Sequence, residues 1–280
     1  MKIVVSERCS FCGNHVDFII REEATLLREA QCSNCKASLR SSDLAKILLQ
    51  VVFPDKEGLT MGEIPKEINL TVLNLFTEGP IHNSLKLLQN YYCGEFFDDV
   101  KSGDFYNGIK CIDLQDIPFE DNTFDLIITE DVLEHVWDID RALSEINRVL
   151  KKDGMHIFTV PVHEKNKTVS RKGSSKKVYH GDPLRDTGAL VNTDFGNDIV
   201  DLMAQFGMET EEYFVHRFFP KEDISYIDEE YDHYLINRNS LDKVFRYNSI
   251  VYISRKTELC DKNFIDCCWR KIVSFFSKKE

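Results

Sequence analysis

The stretch Phe124-Asp-Leu-Ile-Ile-Thr-Glu130, with the helix and strand that follow it, decides the fold of this chain. Its apolar run predicts a buried strand that ends in an acidic turn. Apolar residues then recur at the spacing of one helical face, and Asp138 or Asp140 can cap the first turn of that helix. Gly154 suits a left-handed exit from the helix, and residues 155–161 form a second apolar run. This order predicts a parallel βαβ unit, whose ligand-binding loops lie at the carboxyl ends of the strands.

Four segments of this region resemble a known family. They are, in chain order, Asp113-Leu-Gln-Asp-Ile-Pro-Phe119, Phe124-Asp125, Glu130-Asp-Val-Leu-Glu-His135 and Arg148-Val-Leu-Lys-Lys-Asp-Gly154. Together they are similar to the second half of a class I S-adenosylmethionine-dependent methyltransferase of the small-molecule type, sometimes called type 11. The resemblance extends over residues 68–255 and is sharp over residues 111–161. It implies an α/β fold with a doubly wound, Rossmann-like sheet of seven strands, the last of them antiparallel.

The resemblance also implies where the methyl donor, S-adenosyl-L-methionine, binds. Glu95 follows a second predicted strand and stands where the family places a carboxylate that accepts hydrogen bonds from both ribose hydroxyls. Asp113, after a short predicted strand at residues 108–112, matches the acid beside the adenine amino group, and Leu114 supplies a backbone N–H. Glu130 and Asp131, at the tip of the fourth strand, face the methyl-donor region.

The first strand and its turn depart from the family pattern. Residues 68–76 supply the strand, but the following turn Thr77-Glu78-Gly79-Pro80 carries one glycine where the family usually has two or three. Asn74 stands where an acidic residue is common. Glycine at this place lets the backbone approach the methionine part of the donor without a Cβ clash. We therefore expect either donor contacts from Thr77, Glu78 and Gly79 in an altered loop, or a donor affinity that is reduced or absent.

The segment after the fifth strand supplies candidate bases for the acceptor. An oxygen or nitrogen acceptor can need its proton removed, and His180, His163 and Asp182 are the candidates. His135 either points into the site or packs structurally. The lysine-rich residues 165–177 are interpreted either as part of a mobile lid or as a solvated insertion.

The amino-terminal residues contain two pairs of cysteines. Cys9 and Cys12 form one C-x2-C pair, and Cys32 and Cys35 form the other, with nineteen residues between the two pairs. Two such pairs supply the four thiolates that structural zinc prefers, and a closed site of this kind leaves no position open for catalysis. Reduced surface thiols or a redox pair are the alternatives. The chain is thus divided into a zinc ribbon at 1–42, a helical connector at 43–67, a methyltransferase domain at 68–255 and a C-terminal amphipathic helix at 256–280.

The composition of the chain limits the kinds of partner and compartment that we expect. The formal net charge of −12 disfavours broad attachment to nucleic acid, although a local basic patch stays open. No apolar run is long enough to span a bilayer and no export signal is evident, so nine cysteines indicate a reducing, cytoplasmic compartment. The C-terminal helix either packs on its own domain or a partner, or lies on a membrane surface.

The function predicted from these features is methyl transfer from S-adenosyl-L-methionine to a small-molecule or glycan-type acceptor. Two alternatives stay open. One is an RNA or protein methyltransferase that uses the zinc module to dock its substrate. The other is a catalytically inactive binding module with the methyltransferase fold.

Overall fold

The computed structural model describes residues 4–19, 27–163, 166–182, 185–216 and 248–257. The predicted C-terminal helix, beyond Thr257, and the acidic, tyrosine-rich segment 220–246 lie outside these residues. None of the described helices is long and apolar enough to cross a membrane. In chain order the described elements are β1 (Val4–Arg8), β2 (His15–Ile19), β3 (Gln31–Cys32), α1 (Leu39–Val52), β4 (Val72–Asn74), α2 (Gly79–Leu85), β5 (Tyr91–Cys93), β6 (Phe105–Tyr106), β7 (Ile109–Lys110), β8 (Phe124–Glu130), α3 (Ile139–Val149), β9 (Leu150–Thr159), β10 (Val162–His163), β11 (Val169–Ser170), β12 (Tyr179–Asp182), β13 (Arg185–Leu190), β14 (Thr193–Gly196), α4 (Ile199–Gln205), β15 (Met208–His216) and β16 (Ser249–Lys256).

The central sheet has the order β15-β16-β9-β8-β4-β5. The strand pairs β4–β5, β4–β8 and β8–β9 are parallel, whereas β16 is antiparallel to both of its neighbours, β9 and β15. The predicted antiparallel last strand is therefore confirmed, and the sheet is a Rossmann-like α/β sheet. The carboxyl ends of β4, β5 and β8 meet at one edge, which is where such sheets bind ligands.

The seventh strand that the resemblance implies is reduced to a single β-bridge among the described residues. Glu95 and Cys111 form a single parallel bridge beyond β5 instead of a strand over the predicted residues 108–112. Asn107 and Gly108 have φ angles of 50° and 80°, so the chain reverses there and β7 pairs with β6 as a hairpin. Gly94 permits the bridge, because a Cβ at this residue would lie 2.5 Å from the carbonyl oxygen of Lys110.

The βαβ unit forms as predicted, with two local differences. Asp138 is the N-cap of α3, and its side chain accepts a hydrogen bond from the backbone N–H of Arg141. The predicted left-handed exit at Gly154 is wrong: α3 ends at Val149, β9 begins directly after it, and Asp153 takes the positive φ of 66°. Gly154 is instead required because a Cβ there would lie 2.8 Å from the carbonyl oxygen of Phe124 on the neighbouring strand.

Both faces of the sheet are covered. Apolar residues of α3 and α4 pack with Leu73, Ile127, Phe158 and Tyr252 on one face. Alternate residues of the same strands pack with α1 and α2 on the other face. The helix predicted as part of a connector is thus one of the sheet-covering helices. Burial of each large apolar side chain contributes about 2 kcal/mol. The predicted boundary between residues 42 and 43 falls inside α1.

The amino-terminal residues form a small antiparallel sheet of β1, β2 and β3. Its core contains Phe18, Ala30, Leu39 and two of the cysteines, Cys9 and Cys32. Ser38 then caps α1, since its side chain accepts a hydrogen bond from the backbone N–H of Ser41. We call residues 4–19 and 27–38 the amino-terminal module.

Candidate functional site

A cavity of about 900 Å³ lies at the carboxyl ends of β4, β5 and β8. Its wall combines residues from these strand tips with residues of the amino-terminal module and of the β12–β13 hairpin. Six of the predicted site residues line it, namely Glu95, Asp113, Leu114, Glu130, Asp131 and His180. The other predicted residues lie elsewhere: Thr77, Glu78, Gly79 and His163 do not line this cavity, and the side chain of Asp182 lies outside the described residues.

The carboxylate of Glu95 joins the tips of β4 and β5. It is 9% exposed, and its Oε1 accepts hydrogen bonds from the backbone N–H of Thr77 at 2.7 Å and from the Thr77 hydroxyl at 2.9 Å. Thr77 therefore positions Glu95 at the cavity without lining the cavity itself.

The turn after β4 is held without a set of glycines. Asn74 donates from Nδ2 to the carbonyl oxygen of Phe76 at 2.7 Å and to the hydroxyl of Tyr91 at 3.0 Å. Gly79 is the residue that takes a left-handed φ, 80°, where α2 begins. The ring of Phe76 lines the cavity, so an aromatic surface stands where the family has additional glycines.

Asp113 and Leu114 also line the cavity. Oδ1 of Asp113 accepts hydrogen bonds from the backbone N–H and the side-chain amide of Gln115, both at 2.9 Å. The hydroxyl of Ser102 accepts a hydrogen bond from the backbone N–H of Asp113 at 3.1 Å. The loop that follows the bridge is thereby fixed, with Leu114 almost fully buried at the cavity wall.

Glu130 and Asp131, at the tip of β8, are paired with basic residues that the sequence did not indicate. Arg28 Nη2 lies 2.9 Å from Asp131 Oδ1, and Arg40 Nη1 lies 3.1 Å from Glu130 Oε1. Thr159 donates to Asp131 Oδ1 at 2.8 Å. Burial opposes ionisation of Asp131, yet the two guanidinium groups lower its pKa to about 2, whereas burial raises the pKa of Glu130. These carboxylates fasten the amino-terminal module, through Arg28, and α1, through Arg40, to the sheet.

A second polar group lies beside this tip. Glu134 is 1% exposed, and both of its carboxylate oxygens lack a hydrogen-bond partner among the described residues. His135 Nε2 and His180 Nδ1 each lie 3.7 Å from Glu134 Oε1. His135 therefore faces the site, which the sequence left open.

His163 occupies a different environment. It lies on β10, with Nε2 3.9 Å from a carboxylate oxygen of Asp194, and the same carboxylate pairs with Arg171 at 2.7 Å. Of the two histidines proposed as bases, His180 is the one that the structure brings to the cavity.

The four cysteines of the two pairs converge. Their sulfur atoms all lie within 4.8 Å of one another, with Cys9 and Cys35 separated by 3.6 Å and Cys12 and Cys32 by 3.9 Å. Ligand sulfurs about 2.3 Å from a tetrahedral zinc stand roughly 3.8 Å apart, so the arrangement fits this ion. The turns after the two pairs use left-handed residues, Gly13 and Lys36, as the sequence predicts for tight turns.

Comparison with known proteins gives one family and several partial relatives. A family model described as a methyltransferase domain, Methyltransf_11, matches residues 94–158. A glycine/sarcosine/dimethylglycine N-methyltransferase of Actinopolyspora halophila is 32% identical over 74 residues, which is 26% of this chain and 13% of that protein. A sarcosine/dimethylglycine N-methyltransferase of Halorhodospira halochloris is 42% identical over 48 residues, 17% of each chain. The chain thus spans less than a fifth of either relative.

Among solved structures, a chain assigned as a methyltransferase from Bacillus halodurans aligns with a TM-score of 0.43 and 17% identity. The alignment covers 78% of this chain and all of that one.

Proposed function

Because the chain carries a class I S-adenosylmethionine-dependent methyltransferase domain, we propose that its cavity binds S-adenosyl-L-methionine and that the enzyme methylates a small-molecule or glycan-type acceptor. The observation that carries this proposal is the position of Glu95. Its buried carboxylate lies at the tip of the second strand, fixed by two hydrogen bonds from Thr77, at the cavity wall. An anion held in this way is suited to accept hydrogen bonds from a pair of ribose hydroxyls.

The donor would lie across the tips of β4 and β5 and the loop at residues 113–115. In this placement Glu95 binds the ribose, Asp113 and the backbone of Leu114 bind the adenine, and the turn Thr77-Glu78-Gly79 supports the methionine part. S-adenosyl-L-methionine supplies a methyl group on a sulfonium sulfur. The protein then mainly aligns the acceptor with that group, and such alignment accounts for most of the rate enhancement in displacements of this kind.

His180 is the residue we assign as the base that accepts the acceptor's proton. It lines the cavity beside the fourth strand tip, and a carboxylate oxygen of Glu134 lies 3.7 Å from its Nδ1. Asp182 and His163 were the other candidates for the base. The position of His163, next to Asp194 and away from the cavity, gives less support to that role than the position of His180 does.

The features of the cavity favour a small acceptor over RNA or protein. Arg28 and Arg40, which belong to the amino-terminal module and α1, are turned inward to Glu130 and Asp131, and Arg28 is 1% exposed. Nε and Nη1 of Arg28 are buried at the cavity wall and donate no hydrogen bond among the described residues, although Nε lies 3.9 Å from Oε1 of Glu29. These N–H groups favour an acceptor that carries a carboxylate or another oxygen acceptor. The two relatives named above are, by name, methyltransferases of amino acids.

We also propose structural zinc at Cys9, Cys12, Cys32 and Cys35. The sulfur separations support a tetrahedral site, and the core of the module is small. Metal binding would therefore contribute much of the free energy of folding of this module.

Calorimetric titration of the full chain with S-adenosyl-L-methionine, under reducing conditions and with zinc present, tests the proposal. We expect one donor molecule per chain, and Glu95→Ala should weaken binding at least tenfold because the ribose loses its acceptor. Glu209→Ala is the matched control, since Glu209 is exposed on β15, at the far edge of the sheet. If titration of the unaltered protein with S-adenosyl-L-methionine gives no binding heat, the result would favour the alternative of a binding module that has lost the donor site.

A further inference from the structure

Glu134 is a buried carboxylate that the proposed methyl transfer does not use directly. It is 1% exposed, and neither oxygen accepts a hydrogen bond among the described residues. An ionised carboxylate in such a place costs several kcal/mol unless a charge or hydrogen bonds compensate it. We therefore expect a group that compensates the charge of Glu134 to bind next to it.

Two imidazoles face this carboxylate from different parts of the chain. His135 follows Glu134 on a short 3-10 turn, Leu133–His135, and His180 comes from the β12–β13 hairpin. Each presents one ring nitrogen 3.7 Å from Glu134 Oε1, and the three ligand atoms all lie within 4.8 Å of one another. The ring centroids of the two histidines are 5.2 Å apart and nearly perpendicular.

The tautomer of His135 is fixed by its other nitrogen. Nδ1 of His135 lies 2.9 Å from the carbonyl oxygen of Leu190, which only accepts, so this nitrogen carries the proton. Nε2 is then the nitrogen available to a metal ion, and it lies 3.7 Å from Glu134 Oε1. Histidines that bind metals characteristically donate their second N–H to a backbone carbonyl in this manner.

The backbone beneath the cluster is also held in place. Asn192 donates from its amide Nδ2 to the carbonyl oxygen of His135 at 2.7 Å, and from its backbone N–H to the carbonyl oxygen of Glu134 at 2.7 Å. Rigid support of this kind is what a ligand set needs to keep its geometry.

We propose that Glu134, His135 and His180 bind a divalent transition-metal ion. Two imidazoles and one carboxylate are ligands that suit zinc, manganese, iron or cobalt better than magnesium or calcium. Ligand atoms about 2.1 Å from a tetrahedral metal stand roughly 3.4 Å apart. The two Glu134–histidine separations of 3.7 Å are close to this value, and the two histidine nitrogens lie within 4.8 Å of each other. The three residues leave further coordination positions open, and all three line the cavity.

The open positions give the ion its role. An acceptor oxygen or nitrogen that binds there would be held beside the donor and would release its proton to solvent more readily, as ligands of metal ions do. With the ion bound, His180 is a ligand, and the ion takes over from it the role of promoting loss of this proton. This role rests on the proposed methyl transfer, whereas metal binding itself does not. The site also differs from the cysteine cluster, which is closed by four protein ligands.

Cobalt(II) is the probe that separates the two centres. The full chain, with its cysteine cluster filled with zinc, is dialysed against cobalt(II), and bound cobalt and zinc are counted by elemental analysis. We expect one cobalt per chain, with visible d–d bands and without the sulfur-to-cobalt charge-transfer band that would indicate exchange at the cysteines. Glu134→Gln and His180→Asn should each weaken cobalt binding at least tenfold. His163→Asn, at a histidine outside the cavity, should leave it unchanged.

Failure to bind cobalt, or equal binding by the unaltered chain and by His180→Asn, would overturn the proposal. His180 is on the hairpin and one-third exposed, so its substitution is compatible with folding even if Glu134→Gln is not. Donor titration of the same samples keeps the two proposals apart. Cobalt binding without donor binding would refute methyl transfer alone, and donor binding without cobalt binding would refute the metal site alone.

Discussion

The tips of β4 and β8 differ in where their polar groups find partners. At the tip of β4, Asn74 and Thr77 are hydrogen-bonded to the turn itself and to the neighbouring strand tip. At the tip of β8, Glu130 and Asp131 are paired with Arg28 and Arg40, far away in sequence. In the proposed placement of the donor, its side of the cavity is built within the sheet, whereas the side left for the acceptor depends on residues that precede the sheet in the chain.

This difference assigns a role to the amino-terminal module. Arg28 and Glu29 line the cavity, so under the proposed placement of the donor the module completes the side where the acceptor would bind. Damage to the module should therefore alter the tip of β8 and leave the donor side intact.

The largest expected effect comes from removal of a cysteine ligand. Cys32→Ser should release zinc and unfold the module, because the metal supplies much of its folding free energy. Hydrogen exchange should then rise over residues 4–19 and 27–38 and at residues 130–131, with no change at residues 93–97 and 113–115. Cys93→Ser, outside the cluster, is the control and should retain the zinc. An equal rise in hydrogen exchange at residues 130–131 and at residues 93–97 would contradict the claim that the module supports the tip of β8 alone.

The Arg28–Asp131 pair is the next test. Arg28→Met removes one of two guanidinium groups beside a buried carboxylate and should lower the free energy of unfolding by about 3 kcal/mol. Chemical denaturation measures the change. Arg141→Met is the matched control, since Arg141 is exposed on α3, and its effect should be small. A loss as small as that of the control would show that the pair does not fasten the module.

A second contact of the module gives a pH-dependent test. His216, on β15, lies 3.2 Å from Asp43 of α1 and 3.4 Å from Glu7 of β1. Burial opposes protonation, but the two carboxylates raise the pKa of His216 to about 9. Because this pKa exceeds that of an exposed histidine, about 6.5, the stabilisation is complete below pH 6.5 and is lost as the pH rises to 9.

We expect this loss to be about 3 kcal/mol in the free energy of unfolding, since the pKa of His216 is raised from 6.5 to about 9 and each unit of pKa shift corresponds to about 1.4 kcal/mol. His216→Gln should flatten the pH dependence between 6.5 and 9. His15→Gln, at an exposed histidine of β2, should not. Parallel pH profiles for the unaltered chain and His216→Gln would rule out this contact as a source of stability.

The smallest effect is expected at the tip of β4. Thr77→Val removes the hydroxyl donor to Glu95 and keeps the backbone N–H, so it should cost about 1 kcal/mol of donor binding, or roughly fivefold in affinity. Calorimetric titration measures the change, with Thr123→Val as a control outside the cavity. A loss as large as that of Glu95→Ala would mean that Thr77 contacts the donor directly.

Much of the fold was predictable because local patterns and tertiary packing agree. The helical spacing of apolar residues and the cap at Asp138 predict α3, and the apolar run at residues 124–130 predicts β8. The paired cysteines likewise indicate their own convergence, because four thiols at this spacing have few other uses. By contrast, the strand expected at residues 108–112 was lost to a reverse turn at Asn107 and Gly108, whose positive φ angles were not recognised from sequence.

The site was less predictable, because its partners come from distant parts of the chain. Nothing near Arg28 in the sequence indicates that it pairs with Asp131, since the surrounding charges are balanced. Glu134 belongs to a recognised segment, yet its lack of partners is a property of the packed structure. His163 and His180 both follow the fifth strand, and only the path of the hairpin brings His180 to the cavity.

Hydrogen–deuterium exchange of the full chain with and without S-adenosylhomocysteine, the demethylated donor, tests the central claim most directly. The account predicts protection at residues 75–79, 93–97 and 112–115, with little change in the amino-terminal module. Protection confined to other regions, or no protection at a saturating concentration, would contradict the placement of the donor across the tips of β4 and β5.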